Sequence, residues 1–141
     1  MNSKARSLGM EASAFVDPSG KGNGNVSNGR DLLKLAKYIL EKRRFLFDIS
    51  KGKDYLVFGD SDFSELANYN EFAERPALIG VKNGETKAAG QTYLAVWEFA
   101  SGEEGKSVRV GMILLGSTDR KRDAEIILDW LKNNFSLEEE I

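Results

Sequence analysis

Apolar residues of segment 30–42 recur at helical spacing, and charged residues lie outside the stripe that they form. This pattern predicts an amphipathic helix. Ser27 is positioned to cap the helix, and Asp31 falls in its first turn, where the helix dipole favours a negative charge. The predicted apolar stripe comprises Leu32, Leu33, Leu35, Ala36, Ile39 and Leu40.

Two further helices are predicted near the ends of the chain. Residues 1–9 have the spacing of a helix end, and Gly9 is suited to the left-handed position that stops a helix. The other helix is expected to open at Thr118 or Asp119 and to run to about residue 134. Its predicted buried stripe comprises Ala124, Ile127, Leu128, Leu131 and Phe135.

Three strands are predicted over residues 78–82, 92–99 and 108–115, with connections short enough for antiparallel neighbours. In the second and third strands both alternating sets of side chains are largely apolar, so both faces of the sheet must be covered. The C-terminal helix can cover one face, whereas helix 30–42 can cover only part of the other. The chain is therefore expected to lack covering material for its own sheet, which points to missing sequence.

The remaining segments predict little regular structure. Residues 16–29 are rich in glycine and asparagine and are predicted to form a loop. Residues 45–76 predict a small hairpin excursion, with a strand over 55–58, a turn, and a second strand or irregular arm over 63–72. The acidic residues 136–141 are expected to form a frayed tail.

Composition indicates a globular domain and removes several kinds of chemistry. Of the 141 residues, 41% are hydrophobic and 30% are charged, and 20 basic against 22 acidic residues give a formal charge of −2. This balance gives no support for a nucleic-acid or anionic-membrane surface, and no apolar run is long enough to span a bilayer. The absence of His and Cys excludes Ser-His-Asp and Cys-His catalysis, disulfides and His/Cys zinc sites. No metal or cofactor is expected, and any catalysis must use Ser, Thr, Lys, Tyr or carboxylates.

Two of the three groups that could carry chemistry are weak candidates. Ser50 and Lys53 have the S-x-x-K spacing of a serine nucleophile activated by lysine. Gly52 lies between them in a polar segment that follows a predicted helix, which favours a surface turn. An acidic group is too loosely spaced for a calcium loop and is interpreted as solvated; it comprises Asp60, Asp62 and Glu65.

The third group is Lys82, Asn83 and Gly84, at the end of the first predicted strand. A lysine here offers a fixed positive charge at the sheet edge, and the asparagine amide can donate to a carboxylate. A glycine lets a ligand backbone approach closely because it lacks a Cβ. Taken alone, the tripeptide fits a solvated strand end better than a binding site.

The surrounding residues change that interpretation. Residues 80–90 resemble the G-V-K-T-G-x-T-x-x-A-G segment of serine-type D-alanyl-D-alanine carboxypeptidases, the low-molecular-weight penicillin-binding proteins. Further resemblances to this family follow in order along the chain. Near the N-terminus, Met1-Asn2, Lys4-Ala5 and Leu8-Gly9-Met10 resemble M-N-x-K-A-x-x-L-G-M, and residues 15–20 resemble F-x-N-P-x-G. Residues 27–36 resemble S-T-A-x-D-L-x-x-L-A, residues 68–70 resemble N-x-N, and Leu115-Gly116-Ser117 with Arg122 resembles L-G-S-x-x-x-x-R.

The resemblance implies an α+β fold, a partial β-lactamase/transpeptidase-like domain with an antiparallel sheet of three main strands, a C-terminal helix and part of the helical lobe. Residues 1–135 would be the C-terminal part of the catalytic domain, with 1–44 in the helical lobe and 77–135 forming the sheet and its helix. The complete protein would trim peptidoglycan stem peptides through an acyl-serine intermediate, and β-lactams would acylate it. Lys82, Asn83 and Gly84 would line its carboxylate-binding edge.

The sequence also departs from the family pattern. The site of this family requires S-x-x-K, S-x-N and K-T-G, and the first two lie upstream of the segment that Met1 opens. This chain is therefore expected to lack its nucleophile and to be inactive alone. The family threonine is Asn83 here, and Glu85 places a negative charge near an anionic substrate.

Three interpretations stay open at this point. The chain is a fragment of a carboxypeptidase, or it is a non-catalytic remnant or binding module of the same fold, which the changes at Asn83 and Glu85 somewhat favour. The third and least favoured is an unrelated small α+β domain. The resemblance implies an extracytoplasmic location in the cell envelope, although no signal peptide is visible, so the chain as written would stay in the cytoplasm. Self-association through an uncovered sheet face is a further expectation.

Overall fold

The three predicted strands form an antiparallel meander with helices packed on both faces, as the α+β prediction requires. The structure is a computed structural model, and it describes residues 1–53, 68–101 and 106–139. Its elements are α1 (Asn2–Ser7), α2 (Gly29–Lys42), α3 (Phe45–Ser50), β1 (Leu78–Thr86), β2 (Gly90–Ala100), β3 (Ser107–Ser117) and α4 (Arg120–Phe135).

The central strand β2 pairs with β1 on one side and with β3 on the other. All three strands run further than the apolar pattern predicts. The β1–β2 pairing continues through polar residues to the turn between Thr86 and Gly90, and the β2–β3 pairing extends to Ser107 and Ser117. The β1–β2 register places Lys82 opposite Leu94 and Asn83 opposite Tyr93. Since successive side chains of a strand point to opposite faces, the side chains of Lys82 and Asn83 lie on different faces of the sheet.

The first face carries the larger core, which α4 covers. Tyr93 and Trp97 of β2 each meet the ring of Phe72 edge to face, at centroid distances of 5.9 and 5.6 Å. Trp97 also stacks on Phe99 at 6.3 Å. Ala124 and Leu128 of the predicted α4 stripe are buried against this cluster, and Ile127 and Leu131 pack against it. Phe135, the last member of that stripe, is 57% exposed, so its predicted burial is wrong.

The second face is covered by α2 together with α3, a helix that the sequence pattern did not predict. Ala36 of α2 and Phe47 of α3 are buried against Ile79, Leu94 and Val96. The expectation that this face lacks cover is therefore wrong for β1 and β2. It is also wrong for the outer strand β3, where Ile113 packs against this cluster and a Cβ at Gly111 would lie 2.3 Å from Leu33 of α2. Leu115, near the end of β3, is 50% exposed.

Helix α2 begins one residue earlier than predicted and has a different cap. Asn28 is the N-cap, and its side chain accepts a hydrogen bond from the backbone N–H of Asp31. The predicted cap, Ser27, instead places its hydroxyl 2.7 Å from that of Ser13. Asp31 lies in the first turn as expected and accepts hydrogen bonds from the Ala12 N–H and the Ser13 hydroxyl, both at 2.9 Å, which join the N-terminal segment to α2.

The sequence pattern predicted the structure of the N-terminal end of the chain correctly and that of the C-terminal end wrongly. Helix α1 ends as expected, with Gly9 at φ 71°. The prediction of a frayed C-terminal tail is wrong for residues 137–139. Leu137 is buried, Glu138 forms an antiparallel bridge with Ala100, and the Glu139 carboxylate pairs with Arg75 at 2.9 Å.

The predicted hairpin excursion over residues 45–76 begins instead with α3. The strand and turn predicted over 55–60 lie outside the described residues, as does most of the second strand or arm. The described part of that arm, residues 68–72, contains no strand. Among the described helices, none is long and apolar enough to cross a membrane.

Candidate functional site

The three predicted site residues are consecutive near the end of the edge strand β1, with Lys82 and Asn83 on opposite faces of the sheet. Lys82 is exposed, and its ammonium donates to the backbone carbonyl of Asn83. The Asn83 side chain points to the opposite face, where its amide donates to the backbone carbonyl of Tyr69 at 2.8 Å. The Gly84 carbonyl accepts from the Thr92 hydroxyl at 3.3 Å and from Arg120 Nη1 at 3.4 Å.

Arg120 is a cation beside these residues that the sequence interpretation did not single out. It is the first residue of α4, and its backbone N–H donates to the Gln91 side chain at 2.9 Å, which fixes the start of the helix beside β2. Its guanidinium reaches across to the carbonyl of Gly84 and to the Glu71 carboxylate. Arg122, the arginine that the family pattern singles out, lies two residues further along, with its N–H capped by Asp119 at 3.0 Å.

The positive charge of Arg120 affects the pKa of Lys82. Although the Lys82 residue is largely exposed, partial desolvation of its ammonium, followed by the nearby positive charge of Arg120, lowers its pKa below the usual value. Two cations therefore lie at the same end of β1, where Lys82 contacts the carbonyl of Asn83 and Arg120 that of Gly84. A carboxylate placed between them would relieve their mutual repulsion.

Glu71 already supplies one negative charge here. Its side chain accepts from Arg120 Nε at 2.9 Å and from Nη2 at 2.7 Å. Burial of the Glu71 carboxyl opposes its ionisation, but the hydrogen bonds from Arg120 and Asn83 and the Arg120 charge outweigh that cost. The pKa of Glu71 is consequently held below its usual value. Neither periodicity nor a motif could have paired Glu71 with Arg120, since 49 residues separate them.

Tyr93 closes the inner side of the site. Its ring is 1% exposed, and its hydroxyl has no hydrogen-bond partner within the described part of the chain. Burial, followed by the negative charge of Glu71, raises the pKa of this phenol. Tyr93 is therefore a neutral, buried neighbour of the Glu71–Arg120 pair.

The geometry argues against Ser50 and Lys53 as a catalytic pair. The Ser50 hydroxyl donates to the Phe47 carbonyl at 2.6 Å and accepts from the Val81 N–H at 2.9 Å, so it joins α3 to β1. The Lys53 ammonium pairs with Asp48 at 3.2 Å. Ser50, in the predicted surface turn, thus connects α3 to β1 through its two hydrogen bonds.

Of the remaining candidates, only Glu85 lies among the described residues. The acidic group of Asp60, Asp62 and Glu65 lies outside the described residues. Glu85 is exposed on β1 and accepts from the Gln91 amide at 3.3 Å. Among residues 1–53, 68–101 and 106–139, no cluster of acidic side chains could hold a metal ion.

Comparison with known proteins gives a consistent result over most of the chain. Residues 1–113 match the family described as D-alanyl-D-alanine carboxypeptidase. The D-alanyl-D-alanine carboxypeptidase DacF of Bacillus subtilis is 27% identical over 128 residues, which are 89% of this chain and 32% of that protein. A D-alanyl-D-alanine endopeptidase of Haemophilus influenzae is 52% identical over 42 residues, 30% of this chain and 14% of that protein.

Two solved structures from Mycobacterium tuberculosis share the fold. An evolved penicillin-binding protein homologue superposes with a TM-score of 0.65 at 24% identity, and a D-alanyl-D-alanine carboxypeptidase with a TM-score of 0.64 at 23% identity. Each match covers 92% of this chain and 50% of the other. The chain thus spans half the length of these structures and about a third of the Bacillus relative.

Proposed function

Because the chain belongs to the D-alanyl-D-alanine carboxypeptidase family, we propose that it forms the carboxylate-binding side of a site that trims D-alanine from peptidoglycan stem peptides. Lys82, Asn83 and Gly84 line this side on β1, and Arg120 completes it from α4. In the complete protein a serine outside this chain attacks the peptide carbonyl, releases D-alanine and forms an acyl-serine that water hydrolyses; β-lactams acylate the same serine by ring opening. An extracytoplasmic location in the cell envelope is part of the same proposal.

The observation that carries this proposal is the placement of two cations, Lys82 and Arg120, on adjacent backbone carbonyls of β1. Lys82 and Arg120 come from different elements, yet they lie close enough for one to lower the pKa of the other. Arg120 also reaches the carbonyl of Gly84, where β1 forms an edge of the sheet. A peptide C-terminus could receive charge-assisted hydrogen bonds from both cations while its backbone lies along that edge.

Binding of a short peptide ending in D-Ala-D-Ala tests the proposal. Nuclear magnetic resonance titration of the 141-residue chain should perturb Lys82, Gly84 and Arg120 with the free acid. The same peptide with a C-terminal amide lacks the negative charge and should perturb them far less. Substituting Lys82→Gln should weaken binding of the acid by about tenfold, the usual value of one charge-assisted hydrogen bond. Equal binding of acid and amide would contradict the proposal.

A second test concerns the nucleophile. The Ser50 hydroxyl is held by Phe47 and Val81, and Lys53 is paired with Asp48, so neither is arranged for acyl transfer. Intact mass spectrometry after incubation with a labelled penicillin should therefore show the unmodified mass. A one-to-one adduct that maps to Ser50 would overturn this part of the proposal.

The alternative is a non-catalytic binding module of the same fold. One observation favours it: the Asn83 amide, which replaces the family threonine, already donates to the Tyr69 carbonyl at 2.8 Å. A module would bind the D-Ala-D-Ala peptide with the same acid-over-amide preference. It would stay inactive when a separately produced nucleophile-bearing part of a relative is added, whereas a catalytic fragment would regain penicillin acylation in the added part.

We further propose that the chain self-associates. Helices α2 and α3 cover the second face at β1 and β2, so the surface involved is the outer edge of β3 rather than a bare sheet face. Within the described residues that edge is unpaired. An unpaired strand edge offers hydrogen-bonding groups to another chain.

A further inference from the structure

Glu71 is held between the two elements that flank the proposed carboxylate site. Both hydrogen bonds from the Arg120 guanidinium, at 2.9 and 2.7 Å, end on the same carboxylate oxygen of Glu71. The nearby Asn83 amide of β1 also favours the ionised form of this carboxyl group, while it donates a hydrogen bond to the backbone carbonyl of Tyr69 at 2.8 Å. The Arg120 side chain is 12% exposed and that of Glu71 28% exposed, so the pair is largely withdrawn from water.

These donors are the ones that an external carboxylate would need. Arg120 offers two N–H groups, the Asn83 amide lies near the same carboxylate, and the charge of Lys82 is close to Arg120. Because the Glu71 carboxylate already accepts both Arg120 hydrogen bonds, it leaves little hydrogen-bonding capacity at Arg120 for a second carboxylate. The site is thus built to recognise a carboxylate, and a residue of the same chain supplies it.

We propose that the Glu71 carboxylate occupies the position of a ligand carboxylate and so competes with external carboxylates for this site. The inference rests on the proposed function for the identity of the site, but it concerns the state of that site in this chain. Glu71 is tethered, so its effective concentration near Arg120 exceeds that of a ligand at ordinary concentrations. An external carboxylate must displace it before it can pair with Arg120.

Neutralising Glu71 should open the site. In Glu71→Gln the side chain keeps its shape and loses its charge, so Lys82 and Arg120 become uncompensated. Sodium acetate, titrated at constant ionic strength, should then perturb the Arg120 Nε–H and Asn83 amide signals with at least about tenfold tighter binding than in the wild type. Glu74→Gln is the matched control, because it removes one negative charge from the same exposed segment and should leave acetate binding unchanged.

A second variant keeps the test informative if Glu71→Gln does not fold. Glu71→Asp retains the charge on a shorter side chain, which should withdraw it from Arg120 and give an intermediate gain in acetate binding. Equal acetate binding by the wild type and both variants would overturn the inference, as would an equal gain in Glu74→Gln.

The outcomes also separate this inference from the proposed function. If Glu71→Gln gains acetate binding but no form of the chain prefers the acid over the amide of the D-Ala-D-Ala peptide, the competition by Glu71 stands and the proposed function fails. If the wild type binds the acid peptide selectively and Glu71→Gln gains nothing, the proposed function stands and the competition by Glu71 fails.

Discussion

At the scale of single residues, two glycines determine how closely the helices approach the second face of the sheet. A Cβ at Gly80 would lie 2.2 Å from the Cβ of Phe47, and one at Gly111 would lie 2.3 Å from Leu33 Cδ1. The two neighbouring side chains differ in how freely they can move away from an added methyl group. Phe47 is buried and its Cβ is fixed to the α3 backbone, whereas Leu33 is 47% exposed and can turn away.

Gly80→Ala should therefore destabilise the fold by about 1–3 kcal/mol, the usual cost of forcing an extra methyl group into a packed core. Gly111→Ala is the matched control and should cost about 0.5 kcal/mol or less, since a surface side chain absorbs the change. Urea unfolding followed by circular dichroism measures both. Equal losses for the two variants would show that the Phe47 contact does not limit the packing of α3.

At the scale of elements, the C-terminal segment holds α4 to the sheet. Glu139 accepts from Arg75, which precedes β1, and from Lys132 of α4 at 2.6 Å. Burial of the Glu139 carboxyl opposes its ionisation, but the hydrogen bonds and positive charges of Arg75 and Lys132 outweigh it, so its pKa is lowered. A lowered pKa means that this contribution to stability is fully present above the usual value of 4.5 and is lost as the pH falls through the folded-state pKa.

The free energy of unfolding should thus fall more steeply below about pH 4.5 in the wild type than in Glu139→Gln, because only the wild type must protonate this carboxylate. Glu138→Gln changes the neighbouring exposed carboxylate and should keep the wild-type slope. Thermal unfolding between pH 3 and pH 7 compares the three proteins. A slope in Glu139→Gln identical to that of the wild type would contradict the role assigned to the pair.

The elements also show what the sequence could and could not predict. Periodicity located α2, α4 and the three strands, since each buries a repeating set of side chains. It missed α3, whose six residues are too few to show a helical repeat, and it missed the burial of Leu137, which depends on a bridge to Ala100. Motif resemblance placed Lys82–Gly84 at the strand end, but the Glu71–Arg120 pair needed the folded chain.

At the scale of the whole molecule, the proposed self-association would use the open edge of β3. This strand carries one charged residue, Arg109, and that charge is paired with Glu98 at 2.8 Å. Unpaired charges and proline are the usual protection of an edge strand, and β3 contains neither. Two copies could join their β3 strands into a continuous sheet.

We expect concentration-dependent association of the wild type in light scattering, and monomers for the double variant Val108→Lys, Leu115→Lys, which places a charge near each end of β3. Val16→Lys is the matched control, because Val16 is 69% exposed and lies away from the sheet, so it should associate like the wild type. A monodisperse wild-type monomer at all concentrations would contradict the expectation.

The two tryptophans occupy opposite extremes of solvent exposure, and this makes the molecule spectroscopically informative without labels. Trp97 is fully buried between Phe72 and Phe99, whereas Trp130 is 55% exposed on the outer side of α4, against Phe135. Trp97 should emit at short wavelength and resist iodide, while Trp130 should emit at long wavelength and be quenched. The iodide-resistant part of the fluorescence thus reports the integrity of the aromatic core, and the quenchable part reports any partner that covers α4.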